Sequence, residues 1–373
     1  MRRLLALSHA WLGALSAIFV ILVAASGAAL AFMSELFMAQ YGDALRAAPP
    51  SPGAAALDID ALLASAQAGA TANGGAPFTP IGVLMPHSRV EGVETAIPFG
   101  LPAGGAGFED LRMYSVDPWT GAFKGDFRLD DAWGHQLVHF HQDLFAGPLG
   151  ATFVAALGIG LTAFAVSGLW LWWPRHGSAA AKAMRLDLSG GAKRAMFNLH
   201  GWAGVWASLA IIFFALTGVA VTRPHWLALP TAVEAPPVSA GFDRTCAGAV
   251  SPGQAARAAL AAFPDRELTS LYFPEEPGGP YRMTLRAHGD LDRLGGDLVV
   301  FAHASCPQLV HAVDLKATGF AAHVAGVSLS LHGGYSFGVA GDVLVVATGF
   351  ALVLLSIAGL VVFFTRTLRT KKT

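Results

Sequence analysis

The chain has 373 residues, 54% of them hydrophobic and only 13% charged, too few charges to cover the surface of an ordinary water-soluble protein. Its net charge of −1 gives no basis for nucleic-acid binding, which runs on neutralised phosphates. A membrane protein is the class that remains.

In chain order, the first apolar stretch runs from Ala10 to Phe37 behind Arg2 and Arg3. It is long enough to cross a bilayer. It also exceeds the roughly 7–15 apolar residues of a cleavable signal peptide, so it is expected to remain as a span. A Pro-rich linker, "APPSPG" at 48–53, leads to an amphipathic helix, "DIDALLASAQA", from Asp58. The stretch "LRMYSVDPWTGAFKGDFRL" then predicts two strands turning at Asp117 to Gly121. The second span is Pro148 to Trp173, and a basic loop follows with Arg175, Lys182, Arg185, Lys193 and Arg194, Asp187 being its one acid. Trp202 to Val221 is the third span. After "PTAVEAPP" at 230–237, "SPGQAARAALAAF" from Ser251 predicts a second amphipathic helix, and "YRMTLRAH" and "DLVVFAH" predict strands. The fourth span, Val339 to Phe364, ends in Arg366, Arg369, Lys371 and Lys372.

The basic residues set the expected topology: both termini and the loop between spans two and three face the cytoplasm. The plan is a first span (1–40), a first outside domain (41–134), a second span (135–175), a cytoplasmic loop (176–195), a third span (196–223), a second outside domain (224–325), a fourth span (326–366) and a tail (367–373). The fold class is thus an α-helical membrane protein with four spans and two small α+β domains outside the bilayer. Cys246 and Cys306 both fall in the second outside domain, where an oxidising compartment permits a disulfide; two free thiols are the alternative.

An offset of 191 residues relates the two membrane halves. It carries His9, Trp11, Gly13 and Gly27 onto His200, Trp202, Gly204 and Gly218. It also carries His141, Gly147, Gly150, Gly158, Gly168 and Arg175 onto His332, Gly338, Gly341, Gly349, Gly359 and Arg366. The register does not drift, and the chain reads as a tandem duplication of span, outside domain, span, with parallel halves about an axis normal to the membrane.

The chain has thirteen histidines, and any one near a helix end has an ordinary reading as a capping or interfacial residue. Four keep identity and register under the offset. His9 and His200 lie at the cytoplasmic ends of their helices, and His141 and His332 lie at the outer ends. Each pair is expected to face across the axis at one level. Two imidazoles without carboxylate or thiolate are too few for a closed zinc site but suit the two axial positions of a haem iron. Ionisable groups in a span are costly, which favours a function for them. Gly13 and Gly204 stand one turn beyond their histidines on the same face, leaving room for a flat macrocycle, and Gly168 and Gly359 are expected near the same inner haem. Helix packing explains glycines equally well but not the histidines. "GIGLTA" at Gly158 mimics part of a dinucleotide fingerprint but sits mid-span, and it reads as helix packing.

In "SHAWLG", "HFHQDLFAGPLG", "NLHGWAG", "LHGGYSFGVAG" and "VDPWTG", the chain resembles the PepSY-associated transmembrane family of bacterial iron-regulated membrane proteins. It most resembles that family's ferrisiderophore (ferrioxamine-type) reductases. The resemblance covers essentially the whole chain. It implies an inner-membrane protein with two haem b groups that passes electrons to a ferric siderophore in the periplasm and releases Fe(II). The second outside domain departs from the pattern, with "CPQLVHAVD" where the first has its "DPWTG" turn.

Two consequences follow. His141 lies 27 residues before Gly168, about 40 Å along a straight helix; either aromatic residues relay the electron or, the favoured reading, a break at Gly147-Pro148 folds the outer histidine inward. The cytoplasmic segments are too short for a flavin or nicotinamide domain, so electrons must come from a membrane quinol or a separate cytoplasmic reductase. Trp119, Trp133, Trp226 and Tyr335 are candidates for acceptor contact or interfacial anchoring. A quinol-linked cytochrome b subunit serving a partner protein, and a haem-free scaffold, are the other classes.

Overall fold

The computed structural model describes residues 1–367 apart from 89, 91, 106, 174–184, 231–232, 234–247, 277 and 305–308. Cys246, Cys306, Arg175, Lys182 and the basic tail beyond 367 lie outside the described residues. The chain divides into two compact units, one of residues 1–31, 137–229 and 331–373, the other of 32–136 and 230–330.

The first unit is built on four long apolar helices: α1 (Arg2–Leu30), α5 (Gly147–Trp172), α6 (Ala192–Thr222) and α9 (Val339–Thr367). All four are long and apolar enough to cross a membrane. α1 packs on α5 and α9, and α6 packs on α5 and α9. Much of each helix turns large apolar side chains outward, among them Leu15 and Ile18 of α1, Leu149 and Trp170 of α5, Leu209 of α6, and Val343 and Phe350 of α9. An aqueous surface would not carry that array, whereas lipid solvates it. The first span ends at Leu30 rather than at the expected Phe37, and residues Met33–Tyr41 form a separate helix, α2, in the second unit.

The second unit is an eight-stranded antiparallel sheet with helices against it. Its strands are β1 (Phe78–Leu84), β2 (Ile97–Pro102), β3 (Arg112–Val116), β4 (Phe123–Arg128), β5 (Glu267–Tyr272), β6 (Pro280–Arg286), β7 (Leu298–His303) and β8 (Leu309–Asp314). Their order is β4-β3-β2-β1-β5-β6-β7-β8, so the segments expected as separate domains share one sheet through β1 and β5. At that seam Val83 lies opposite Leu271, and both are fully buried. Side chains of this size stabilise by about 1.5–3 kcal/mol each when buried.

Helix α3 (Ile59–Ala72) begins where the Asp58 carboxylate accepts the Ala61 N–H. Helix α7 (Pro252–Ala262) begins at a capping box of Ser251 and Gln254 with Pro at its first position. Their apolar stripes (Ile59, Leu62, Ala66; Ala255, Ala256, Ala259) join Val83, Leu271, Met283 and Val300 in one core. Phe37, Met38 and Tyr41 of α2 pack with Leu45, Phe99 and Met113 in a second core. The hairpin turn falls at the expected place, where Asp117 Oδ1 accepts the N–H groups of Trp119 and Thr120 and Gly121 takes a positive φ.

Candidate functional site: two histidine pairs among the apolar helices

At the level of the first pair, His9 extends from α1 to α5. Its Nδ1 lies 2.9 Å from Ser167 Oγ. Its Cε1 edge rests over Gly168, where a Cβ would stand 3.4 Å away. His200 extends from α6 to α9 in the same manner, Nδ1 donating to the Leu355 carbonyl at 2.9 Å and Cε1 over Gly359 at 3.3 Å. The two rings are 6.3 Å apart between centroids, with their planes at 89°.

The second pair sits on two shorter helices, α4 (Trp133–Asp143) and α8 (Phe320–His332). His141 Nδ1 donates to the Val23 carbonyl at 2.9 Å and lies 3.2 Å from Ser26 Oγ. His332 Nδ1 donates to the Phe214 carbonyl at 2.9 Å and lies 3.2 Å from Thr217 Oγ1. Each ring is seated on a glycine: a Cβ on Gly27 would stand 2.7 Å from His141 Cε1, and one on Gly218 2.8 Å from His332 Cε1. The ring centroids are 6.0 Å apart, with planes at 38°.

This level exists because the helices break. α4 ends at Asp143, and Leu144, Phe145 and Gly147 all take positive φ before α5 continues. Left-handed conformations at Leu144 and Phe145 cost roughly 1 kcal/mol or more each, so packing, not local preference, holds this turn. In the other half Gly334 and Gly338 take positive φ between α8 and α9, where glycine allows it without that cost. Gly27, the seat of His141, is 18 residues along α1 from His9, about 27 Å of helix rise. The 40 Å of a straight α4–α5 helix is thereby shortened.

The glycines divide by role. Nothing lies within 4 Å of a Cβ placed on Gly13, and on Gly204 only Leu355 approaches, at 3.6 Å. Gly13 leaves open space one turn from His9, whereas the corresponding space beside Gly204 is bounded by Leu355. Gly168 and Gly359, expected near the inner haem, receive the edges of His9 and His200, whose rings cross to the neighbouring helix. Gly27 and Gly218 were legible as repeat mates but not as seats, and Ser26 and Thr217 were missed although the same offset relates them.

In each of the four imidazoles Nδ1 is the engaged nitrogen, which leaves Nε2 for a metal. A ligating nitrogen lies about 2.0–2.1 Å from its metal and about 1.1 Å from its own ring centre, so two imidazoles in line on one metal stand roughly 6.3 Å apart. Both pairs have that spacing. Among the described residues, no third His, Cys, Asp or Glu joins either pair within ligand reach. The donor set therefore fits a metal whose other positions are filled by a planar macrocycle, not a tetrahedral zinc.

Other histidines lie apart from the pairs. His135 pairs with Asp130 at 3.4 Å and His139 with Asp143 at 3.2 Å. His323 faces Asp297 at 3.5 Å. Burial holds the His303 imidazole below its ordinary pKa. Of the aromatic candidates, Trp133 and Trp226 are exposed, and Trp119 and Tyr335 are half-buried.

Comparison with curated proteins finds no match. The family model for the PepSY-associated TM region matches residues 6–366, a range that includes all eight strands, nearly all of the four long apolar helices and all four paired histidines. The chain is a membrane protein and belongs to the PepSY-associated TM family.

Proposed function

We propose that this protein is a di-haem b oxidoreductase of the bacterial inner membrane. His9 and His200 hold the inner haem, and His141 and His332 hold the outer one. Electrons enter from a membrane quinol or a cytoplasmic reductase and leave to a ferric siderophore in the periplasm. One-electron reduction weakens the hold of hard oxygen donors on iron and releases Fe(II). The observation that carries this reading is the pair of centroid spacings, 6.3 and 6.0 Å, repeated at two depths with matching Nδ1 anchoring.

Bound haem supplies a metal that changes between Fe(III) and Fe(II), one electron at a time. The chain's own residues do the rest. The Val23, Phe214 and Leu355 carbonyls and the Ser167 hydroxyl keep each proton on Nδ1 and fix the plane of each ring. Gly27, Gly168, Gly218 and Gly359 let those rings lie against a neighbouring helix. The apolar faces of α1, α5, α6 and α9 keep water from both levels. The breaks after α4 and α8 set the second level within one bilayer thickness of the first. The proposal includes a tandem origin for the two halves, supported by the 191-residue register and the mirrored strand order, and cytoplasmic termini, supported by the basic loop.

The test uses purified protein reconstituted in vesicles with a quinol donor and an external ferric hydroxamate, with a ferrous-specific chromogenic chelator reporting release. The expected result is donor-dependent Fe(II) formation that is lost in His141→Ala. Haem-loaded protein that leaves every ferric chelate oxidised would refute the acceptor assignment, and protein that binds no haem would refute the whole reading.

A further inference from the structure

We infer that Ser167 makes the two imidazoles of the inner pair unequal and thereby sets the inner haem's potential, acting as a positioning residue through His9. This rests on the haem reading above. In the second half, His200 Nδ1 donates straight to the Leu355 carbonyl at 2.9 Å. The repeat mate of Leu355 is Phe164, and its carbonyl is already taken: Ser167 Oγ donates to it at 3.2 Å. His9 Nδ1 therefore meets the hydroxyl instead, at 2.9 Å, with the Phe164 ring standing edge-on at 5.6 Å. The repeat mate of Ser167 is Ala358, fully buried, so the second half has no hydroxyl to insert. The outer pair lacks this asymmetry, since His141 and His332 each reach a carbonyl at 2.9 Å and a hydroxyl at 3.2 Å.

The chemical consequence follows from the acceptor. An imidazole whose N–H is committed to an amide carbonyl has a more basic far nitrogen, which favours Fe(III) and lowers the potential. A serine hydroxyl is the poorer acceptor, though donating to Phe164 recovers part of the difference. Because Ser167 has given its hydrogen to that carbonyl, its oxygen accepts from Nδ1–H, and Nε2 of His9 stays free of a proton. Ser167 thus preserves the ligating tautomer while leaving His9 the weaker donor of the two.

The experiment is a redox titration of the purified full-length protein, followed optically and by low-temperature EPR, with the inner step assigned as the one missing from His9→Ala. Ser167→Ala, which makes the first half like the second, is expected to lower the inner midpoint and shift its low-spin g-values, leaving the outer step in place. Ser167→Thr, which keeps the hydroxyl, is expected to titrate like the parent, and Ala358→Ser to raise the inner midpoint. Loss of the inner haem from Ser167→Ala with retention in Ser167→Thr would also uphold the role. An unchanged inner midpoint and unchanged g-values in Ser167→Ala with both haems bound would overturn it, as would equal loss of the inner haem from both variants. Parent protein without haem would sink the underlying assignment and this inference with it, whereas an unmoved midpoint in haem-loaded Ser167→Ala would sink this inference alone.

Discussion

His141 lies on Gly27 so closely that a single added methyl group would stand 2.7 Å from its Cε1, and His332 repeats the contact on Gly218 at 2.8 Å. The His141–His332 pair can meet only because both seats are bare. Gly27→Ala and Gly218→Ala are each expected to push an imidazole off its carbonyl and cost about 1–3 kcal/mol in overpacking. If the protein holds two haems as proposed, about half the haem should be lost with each, as measured by haem content per chain. Gly13→Ala, which meets nothing within 4 Å, is the companion variant. It should leave the fold intact, and any haem loss it causes would come from crowding the macrocycle itself.

Asp60 ties the two halves of the sheet unit together. Its carboxylate accepts the Ser251 hydroxyl at 2.6 Å and the Gly253 N–H at 2.9 Å, capping α7 from α3, where negative charge suits the positive end of the helix. Asp60→Ala is expected to destabilise the unit by about 1–2 kcal/mol. Thermal unfolding followed by circular dichroism should report a lower midpoint, with haem spectra unaltered before the transition.

The loop before β7 carries a pH-dependent brace. Burial by itself would raise the Asp290 carboxyl, but the N–H groups of Ala287 and Asp297 and the Lys316 ammonium, 2.7 Å away, hold it below the ordinary carboxylate value. A lowered carboxyl contributes stability that is present above its unfolded value, about 3.9, and lost as pH falls through the folded one. Lys316 is raised, first by its hydrogen bond to Asp290. Its contribution is present below about 10.4 and lost as pH climbs through the folded value. Amide exchange of residues 287–297, corrected for intrinsic rates, should therefore show steady protection between those limits and a loss in acid. Lys316→Met should weaken that protection at neutral pH by about 1–3 kcal/mol, the usual cost of leaving a buried acceptor unmet.

Much of the membrane unit was legible because its signals are local or periodic. Apolar length marked the four spans, and the constant offset marked His9, His141, His200 and His332 out of thirteen histidines. The helix break near Gly147 was signalled by length together with Gly147-Pro148, since an unbroken α4–α5 would have stranded His141. Its position was less legible: Leu144 and Phe145 take the left-handed turn, which no residue preference announces. The roles of Gly168 and Gly359 depend on rings crossing to a neighbouring helix, a fact of packing. Ser26 and Thr217 are hydroxyl residues related by the same offset, which is the signal the sequence carries for them. The union of the two segments in one sheet rests on Val83 meeting Leu271, a pairing between residues far apart in sequence that neither strand encodes by itself.

The most direct test is the haem content and dithionite-reduced minus oxidised spectrum of purified protein and its four single variants. Two b-type haems per chain are expected. One spectral component should be lost in His9→Ala and His200→Ala and the other in His141→Ala and His332→Ala, with His303→Ala unchanged. A colourless protein, or haem that survives all four substitutions, would contradict the di-haem reading.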